Sequence, residues 1–95
     1  MIPLEIKKFM FYTYILQSTK SDMWYTGSTG DLRKRLSQHN TGKSLYTKGR
    51  GPFKLIYYEA CCNEDDAKSR ELYLKSGPGK RYIKNRLKRF LSLTG

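Results

Sequence analysis

Two aromatic runs decide the fold, Phe11-Tyr12-Thr13-Tyr14-Ile15-Leu16 and Trp24-Tyr25-Thr26-Gly27-Ser28. Both are rich in aromatic and β-branched residues, which favour strands. The polar segment Ser18-Thr19-Lys20-Ser21-Asp22 between them has the composition of a turn, so the two runs predict a β-hairpin. A symmetric hairpin would place Tyr14 directly opposite Tyr25, with both side chains projecting from one face of the sheet.

The remaining chain predicts one more strand and three helices. Asp31 and Asn63 are suitable N-caps, Gly42 and Gly77-Pro78-Gly79 are helix stops, and an apolar run follows the first helix. We therefore expect a single α+β domain over residues 1–95, with a core of about 10–91, in which a small three-stranded sheet containing the hairpin is flanked by three helices. The expected elements are a helix over 32–40, a strand over 53–60, and helices over about 64–76 and 80–93.

The charge of the chain is its strongest compositional feature. Nineteen Lys and Arg residues face eight Asp and Glu residues, which gives a formal net charge of +11. This excess indicates a polyanionic partner. Because the charge is spread along the whole chain and not confined to one amphipathic helix, nucleic acid is favoured over a membrane surface.

The sequence also predicts a cytoplasmic location. No apolar run approaches the roughly 18 residues that are needed to span a bilayer. Glu5, Lys7 and Lys8 interrupt the start of the chain where a signal peptide would be apolar. Cys61 and Cys62 are adjacent and are expected to be free thiols, as in a reducing compartment.

Polar side chains stand where apolar ones are expected on two of the predicted helices. Arg35 and His39 share one stripe of the first helix with two leucines, and Glu71 lies in the apolar stripe of the second. Burying such groups costs several kcal/mol unless they are paired. They form either a structural cluster, with an Arg35–Glu71 ion pair and a hydrogen-bonded His39, or a functional site. The periodicity alone leaves both interpretations open.

Cationic loops supply candidate contacts to nucleic acid. Residues 41–52 are Gly-rich and basic without one acid, and Gly77-Pro78-Gly79 leads into a helix that begins with two cations. A helix start with free N–H groups favours a phosphate. Contacts of this kind hold the backbone and do not read bases. The candidate nucleic-acid-binding residues are Lys43, Thr47, Lys48, Arg50, Lys80 and Arg81.

These elements together resemble the GIY-YIG endonuclease superfamily. Tyr12-Thr13-Tyr14 is similar to its first signature element and Tyr25-Thr26-Gly27 to its second. Arg35 stands ten residues after Tyr25 and His39 four residues further, as in members of the superfamily, and Glu71 matches the glutamate of a later helix. Four separated elements thus agree in order and spacing.

The likeness is greatest to the small single-domain bacterial branch. The matching segments are His39-Asn40-Thr41-Gly42-Lys43 and Tyr46-Thr47-Lys48-Gly49-Arg50-Gly51-Pro52. Tyr12 replaces the glycine of the first element, and Ser28 stands where repair-type relatives have a lysine. Asn85 is the only asparagine in the last predicted helix, where many members carry one near the C-terminus.

The resemblance implies a metal-dependent endonuclease that hydrolyses DNA phosphodiester bonds, in repair, recombination or the processing of structured or single-stranded DNA. Glu71 would hold a single Mg²⁺ or Mn²⁺ ion, and Arg35 would donate to a non-bridging phosphate oxygen. Tyr25 would position or deprotonate the attacking water, with Tyr14 hydrogen-bonded nearby and His39 as a candidate proton acceptor. Which of these three takes the proton is left open.

Two alternatives remain at the level of sequence. The first is a non-catalytic nucleic-acid-binding module on the same fold, and the second is a protein-interaction domain whose charge serves solubility or an acidic partner. The intact set of Tyr14, Tyr25, Arg35 and Glu71 argues against a pure binder, which has no need of a carboxylate in a cationic cleft. We expect DNA to be favoured over RNA, with no membrane and no obligate protein partner.

Overall fold

An antiparallel three-stranded sheet is the framework of the domain in a computed structural model that describes residues 10–44 and 47–94. The strands are β1 (Phe11–Ser18), β2 (Trp24–Thr29) and β3 (Phe53–Cys61), in the order β2-β1-β3. The central β1 is buried from residue 13 to residue 18, whereas β2 lies at an edge. Tyr46 and the start of the chain with Glu5, Lys7 and Lys8 lie outside the described residues.

The hairpin is present, but its predicted register is wrong by two residues. Tyr14 pairs with Gly27, and Leu16 pairs with Tyr25. The reason is the turn, which begins one residue later than its composition indicates: the Ser18 N–H donates to the carbonyl of Met23 at 2.9 Å, so Ser18 remains in the strand. Since side chains alternate between faces, a shift of two leaves Tyr14 and Tyr25 on the same face.

In the described part of the chain four helices accompany the sheet: α1 (Leu32–Asn40), α2 (Glu64–Lys75), α3 (Gly77–Arg86) and α4 (Lys88–Thr94). Both predicted N-caps are confirmed. An Asp31 carboxylate oxygen accepts the Lys34 N–H at 3.0 Å, and the Asn63 side-chain oxygen accepts two N–H groups of the first turn of α2. Of the helices in the described part of the chain, none is both long and apolar enough to cross a membrane.

The predicted single last helix is wrong in two respects. Its first turn is Gly77-Pro78-Gly79 itself, because the Ser76 hydroxyl oxygen accepts the Gly79 N–H at 3.2 Å and caps a new helix. The chain then breaks at Leu87, so four helices replace the expected three. Gly79 permits the sharp α2–α3 junction, since a Cβ there would lie within 2 Å of the Tyr73 carbonyl oxygen.

Helices cover both faces of the sheet. One face packs Tyr14, Leu16 and Phe53 against the two leucines of α1, Leu32 and Leu36. The other face packs Ile15 against Leu74 of α2 and Ile83 of α3. Because Arg35 and His39 share the α1 stripe with the leucines, and Glu71 shares the α2 stripe with Leu74, the polar side chains approach β2 from opposite faces of the sheet.

Candidate active site

The five side chains predicted to be catalytic line one cavity of about 250 Å³. The cavity follows the edge strand β2, and three β2 residues between Tyr25 and the strand end, Thr26, Gly27 and Ser28, also line it. The loop after α1 contributes Ser44 and Thr47, and α2 adds Lys75. The predicted catalytic residues that meet there are Tyr14, Tyr25, Arg35, His39 and Glu71.

Gly27 leaves space for the Tyr14 side chain of the central strand to reach the edge strand β2. It lies opposite Tyr14 in the ladder, and a Cβ at Gly27 would lie 2.5 Å from the Tyr14 hydroxyl oxygen. Such an approach is too close for any side chain. The glycine therefore gives the Tyr14 ring room to extend across β2, so that its hydroxyl lies beside residues of α1.

Tyr14, His39 and Thr47 form a buried hydrogen-bonded chain. The Tyr14 hydroxyl is 2.9 Å from His39 Nε2, and the Thr47 hydroxyl is 2.6 Å from His39 Nδ1. The three residues are 3%, 8% and 1% exposed. Thr47, predicted to contact nucleic acid, is buried in the lining of the cavity and holds the His39 ring through this hydrogen bond. Sequence reasoning had no signal for this contact, which joins residues of a helix and a loop.

Burial determines the protonation states of Tyr14 and His39 in this hydrogen-bonded group. Removal from solvent raises the pKa of the Tyr14 hydroxyl above its usual value of 10.0, although the neighbouring Arg35 guanidinium opposes the rise. Burial, assisted by the positive charge of Arg35, lowers the pKa of His39 below 6.5. At neutral pH the site therefore holds a protonated phenol beside a neutral imidazole, which can accept a proton.

Glu71 is held by two neighbours that the sequence did not assign to the site. The Ser28 hydroxyl donates to Glu71 Oε1 at 2.7 Å, and the Lys75 ammonium donates to Oε2 at 2.6 Å. Lys75 follows Glu71 by one helical turn, so its i,i+4 spacing is the signal that would have found it. The Arg35–Glu71 ion pair of the structural interpretation is absent from the described residues, whose ion pairs are Lys68–Glu64, Arg70–Glu59 and Lys75–Glu71.

Comparison with known families agrees with this geometry. The model of the GIY-YIG catalytic domain matches residues 10–84, which include every residue of the cavity. The chain belongs to the GIY-YIG catalytic domain family. This family is a nuclease superfamily, so the remaining candidate residues are described relative to its fold and site.

The similar proteins are small bacterial UPF0213 proteins. A UPF0213 protein of Clostridium perfringens is 49% identical over 67 residues, which cover 70% of this chain and 71% of the relative. A UPF0213 protein of Oceanobacillus iheyensis is 41% identical over 68 residues, 70% of this chain and 78% of the relative. The solution NMR structure of a UPF0213 protein from Bacillus halodurans has 34% sequence identity and a TM-score of 0.45, and the match covers 90% of this chain and 86% of that chain.

The donor set of this GIY-YIG domain fits a hard divalent cation. GIY-YIG nucleases generally use divalent metal ions. Among the described residues no group of three or more His, Cys, Asp or Glu side chains lies so that it could hold a metal ion. Glu71 offers one partly exposed carboxylate beside open cavity space, and Mg²⁺ accepts one carboxylate with water and phosphate oxygens as its other ligands. An ion at Glu71 would share or replace the Lys75 ammonium on Oε2.

The other candidate nucleic-acid contacts of the GIY-YIG domain are divided in space. Arg50 and Lys80 line a second, larger cavity that also touches Tyr25, whereas Lys43, Lys48 and Arg81 are exposed and line neither cavity. The start of α3 offers fewer donors than expected, because Pro78 has no N–H and the Gly79 N–H bonds Ser76. Any phosphate there would depend on the cationic side chains.

Proposed function

We propose that this protein is a divalent-metal-dependent endonuclease that hydrolyses DNA phosphodiester bonds in the cytoplasm, with Mg²⁺ or Mn²⁺ as its cofactor. The observation that carries the proposal is the convergence of a carboxylate, a guanidinium and a tyrosine–histidine chain on one cavity in a protein of net charge +11. Phosphodiester hydrolysis needs charge stabilisation, a positioned water and a proton acceptor, and these residue types supply all three.

Arg35 and Tyr25 are assigned to the substrate phosphate and the water. A guanidinium is planar and always charged, so Arg35 suits a non-bridging phosphate oxygen whose negative charge grows in the transition state. Tyr25 lines the cavity from the edge strand, with its ring held edge-on against Phe53 at a centroid distance of 5.3 Å. That support gives Tyr25 the fixed position that orienting a water requires.

The proton of the attacking water is assigned to His39, through Tyr14. Because its pKa is raised, Tyr14 stays protonated, and we assign to His39 the tautomer that carries its proton on Nδ1. In this tautomer Tyr14 donates to His39 Nε2 and His39 Nδ1–H donates to Thr47. The Tyr14 oxygen can then take the proton of the water as its own passes to His39. The new bond joins the water oxygen to phosphorus, the bond from phosphorus to the leaving oxygen breaks, and the leaving oxygen takes a proton from solvent. This assignment avoids a phenolate at Tyr14.

Glu71 is assigned to the metal. A divalent ion supplies Lewis-acid stabilisation of the phosphate when bound. Ser28 holds one carboxylate oxygen of Glu71 in place, which fixes the side chain towards the cavity. Lys75 neutralises the second oxygen until a cation takes its position.

Cleavage assays test the proposal. The purified protein is incubated with supercoiled plasmid, branched DNA and single-stranded DNA, with Mg²⁺, with Mn²⁺ and with EDTA. We expect metal-dependent cutting that is lost in Glu71→Gln and retained in Asp65→Asn, a change of an exposed carboxylate in the same helix that does not line this cavity. Absence of cutting on every substrate, or equal cutting by Glu71→Gln, would refute a nuclease function.

The second candidate is a nucleic-acid-binding module without cleavage. The observation that favours it is the Lys75–Glu71 ion pair, in which the Lys75 ammonium lies 2.6 Å from a carboxylate oxygen that would otherwise be available to a metal ion. This candidate predicts salt-dependent binding of DNA that Glu71→Gln leaves unchanged and that divalent metal ions do not strengthen.

A further inference from the structure

A second cavity of about 550 Å³ adjoins the candidate active site. The two cavities share Tyr25, Thr26 and Lys75 as lining residues, so they lie next to each other. The second one, called here the Trp24 cavity, is lined by Ile15, Met23, Trp24, Tyr25, Thr26, Arg50, Leu74, Lys75, Lys80 and Ile83. None of the roles assigned above uses its space.

The Trp24 cavity combines an apolar floor with a cationic rim. Ile15, Leu74 and Ile83 at the floor are at most 2% exposed. The rim carries Arg50, Lys75 and Lys80, and the lining includes no acid. An aromatic and apolar surface surrounded by cations matches the chemistry of a nucleotide, which has a flat base and an anionic phosphate.

The cavities lie next to one another along β2, the edge strand of the sheet in the described residues. A third space of about 210 Å³ on the other side of the candidate active site shares Ser28 and Arg35 with it. The lining thus passes from Met23 through β2 to Gly30. A strand of six residues covers about 20 Å, which exceeds what one nucleotide needs. A polynucleotide strand lying along β2 would therefore enter both neighbouring cavities.

We propose that the Trp24 cavity binds the base of an unpaired nucleotide next to the scissile phosphate, so that the substrate is single-stranded or locally unpaired nucleic acid. The proposal rests on the function proposed above. A base that is paired and stacked in a duplex presents only its edges, whereas this cavity offers an aromatic face and an apolar floor to a whole base. Lys75 lies between the two cavities, where the phosphate joining the two nucleotides would pass.

The only tryptophan of the chain is in this cavity, which makes binding directly observable. The full-length protein in EDTA is titrated with a single-stranded DNA oligonucleotide, an RNA oligonucleotide of the same sequence and the blunt DNA duplex. We expect saturable quenching of Trp24 fluorescence by a single strand, with an affinity about tenfold or more above that for the duplex. The comparison of DNA with RNA identifies which single strand is preferred.

Two variants locate the binding site, measured by anisotropy of a labelled single strand. Trp24→Leu should weaken binding about tenfold, because base–aromatic stacking is lost. Lys80→Gln should weaken binding and reduce the salt slope by about one, whereas Lys84→Gln, an exposed change in the same helix outside this cavity, should weaken it less. Since Trp24 also packs on the core, the Lys80 variant decides the outcome if Trp24→Leu fails to fold.

The outcomes separate this proposal from the nuclease function. Single-strand quenching without cleavage of any substrate supports the Trp24 cavity and refutes the enzyme. Metal-dependent cleavage that is equal on duplex and single strand, with no effect of Trp24→Leu or Lys80→Gln on binding, overturns the Trp24 cavity and leaves the enzyme standing. Equal affinity for duplex and single strand likewise overturns the proposal.

Discussion

Gly27→Ala should disable the candidate active site through Tyr14. The new Cβ would lie 2.5 Å from the Tyr14 hydroxyl oxygen and 2.7 Å from Cζ, well inside van der Waals contact. The Tyr14 ring is 3% exposed and its hydroxyl bonds His39 Nε2 at 2.9 Å, so the ring cannot move aside without breaking that bond. The added methyl group should therefore displace the hydroxyl from His39.

The size of the effect follows from overpacking. One extra carbon in a packed core costs typically 1–3 kcal/mol. In a domain of 60–100 residues each kcal/mol lowers Tm by roughly 4–8 °C, so a central value of about 2 kcal/mol corresponds to about 10 °C. Displacing a group that takes part in proton transfer reduces the rate by about 10²–10⁴-fold. We expect loss of cleavage in this range at temperatures where Gly27→Ala is still folded.

Thermal unfolding and cleavage are measured for Gly27→Ala and for a control substitution of a second glycine. Gly77→Ala is the control, because the nearest atom to its Cβ is Arg81 Nη1 at 3.7 Å, an ordinary contact, and Gly77 lines none of the three cavities. Gly77→Ala should keep both Tm and activity. The double change Gly27→Ala with Tyr14→Phe should recover part of the lost Tm, since the closest atom is gone, without recovering activity. A Gly27→Ala protein with wild-type Tm and wild-type cleavage would show that a side chain at this position does not displace the Tyr14 hydroxyl from His39.

Three further predictions concern the neighbours of the site. Because burial lowers the pKa of His39 below 6.5, the unfolded chain takes up this proton first as pH falls. The free energy of unfolding should therefore fall as the pH is lowered from 6.5 towards the pKa of His39 in the folded protein. Thermal unfolding at a series of pH values measures this, and His39→Gln should remove this part of the pH dependence. Asn40→Ala removes two hydrogen bonds to the backbone of Phe53, at 3.2 and 2.7 Å, and should cost about 1–3 kcal/mol by denaturant unfolding; an unchanged midpoint would contradict this. Lys75→Gln frees an oxygen of Glu71 and should tighten Mn²⁺ binding about fivefold by calorimetry without DNA, whereas weaker Mn²⁺ binding would show that the lysine does not compete with the metal.

Local features of the sequence were sufficient for the three strands, for the first two helices and for the faces that these elements bury. Asp31 and Asn63 are short-range caps whose partners lie within three residues, so composition alone identified both helix starts. The helical period placed Arg35 and His39 beside the core leucines, and strand alternation placed Tyr14 and Tyr25 on one face. These predictions depend only on spacing along one element.

The predictions from the sequence were wrong or incomplete where the structure depends on contacts between distant residues or on a single hydrogen bond. The hairpin register depends on the Ser18–Met23 hydrogen bond, which composition does not encode. The start of α3 depends on the Ser76 cap and on the lack of a side chain at Gly79, where α2 and α3 touch. Thr47 meets His39 only after a loop of unknown path has folded back. For the same reason the resemblance identified the catalytic residue types but not their supporting neighbours.

The position of the site on an edge strand connects stability with function. An exposed edge can pair with another chain, and natural proteins protect it with charge. Here Arg50, Lys75 and Lys80 lie along the β2 side, so two copies approaching edge to edge would bring like charges together. In the proposed function the same three cations would attract a polyanion to that edge, beside the cavity lined by Glu71 and Tyr14. Replacing them with neutral residues should therefore weaken nucleic-acid binding and promote self-association together, a coupling that no change on the covered faces of the sheet would produce.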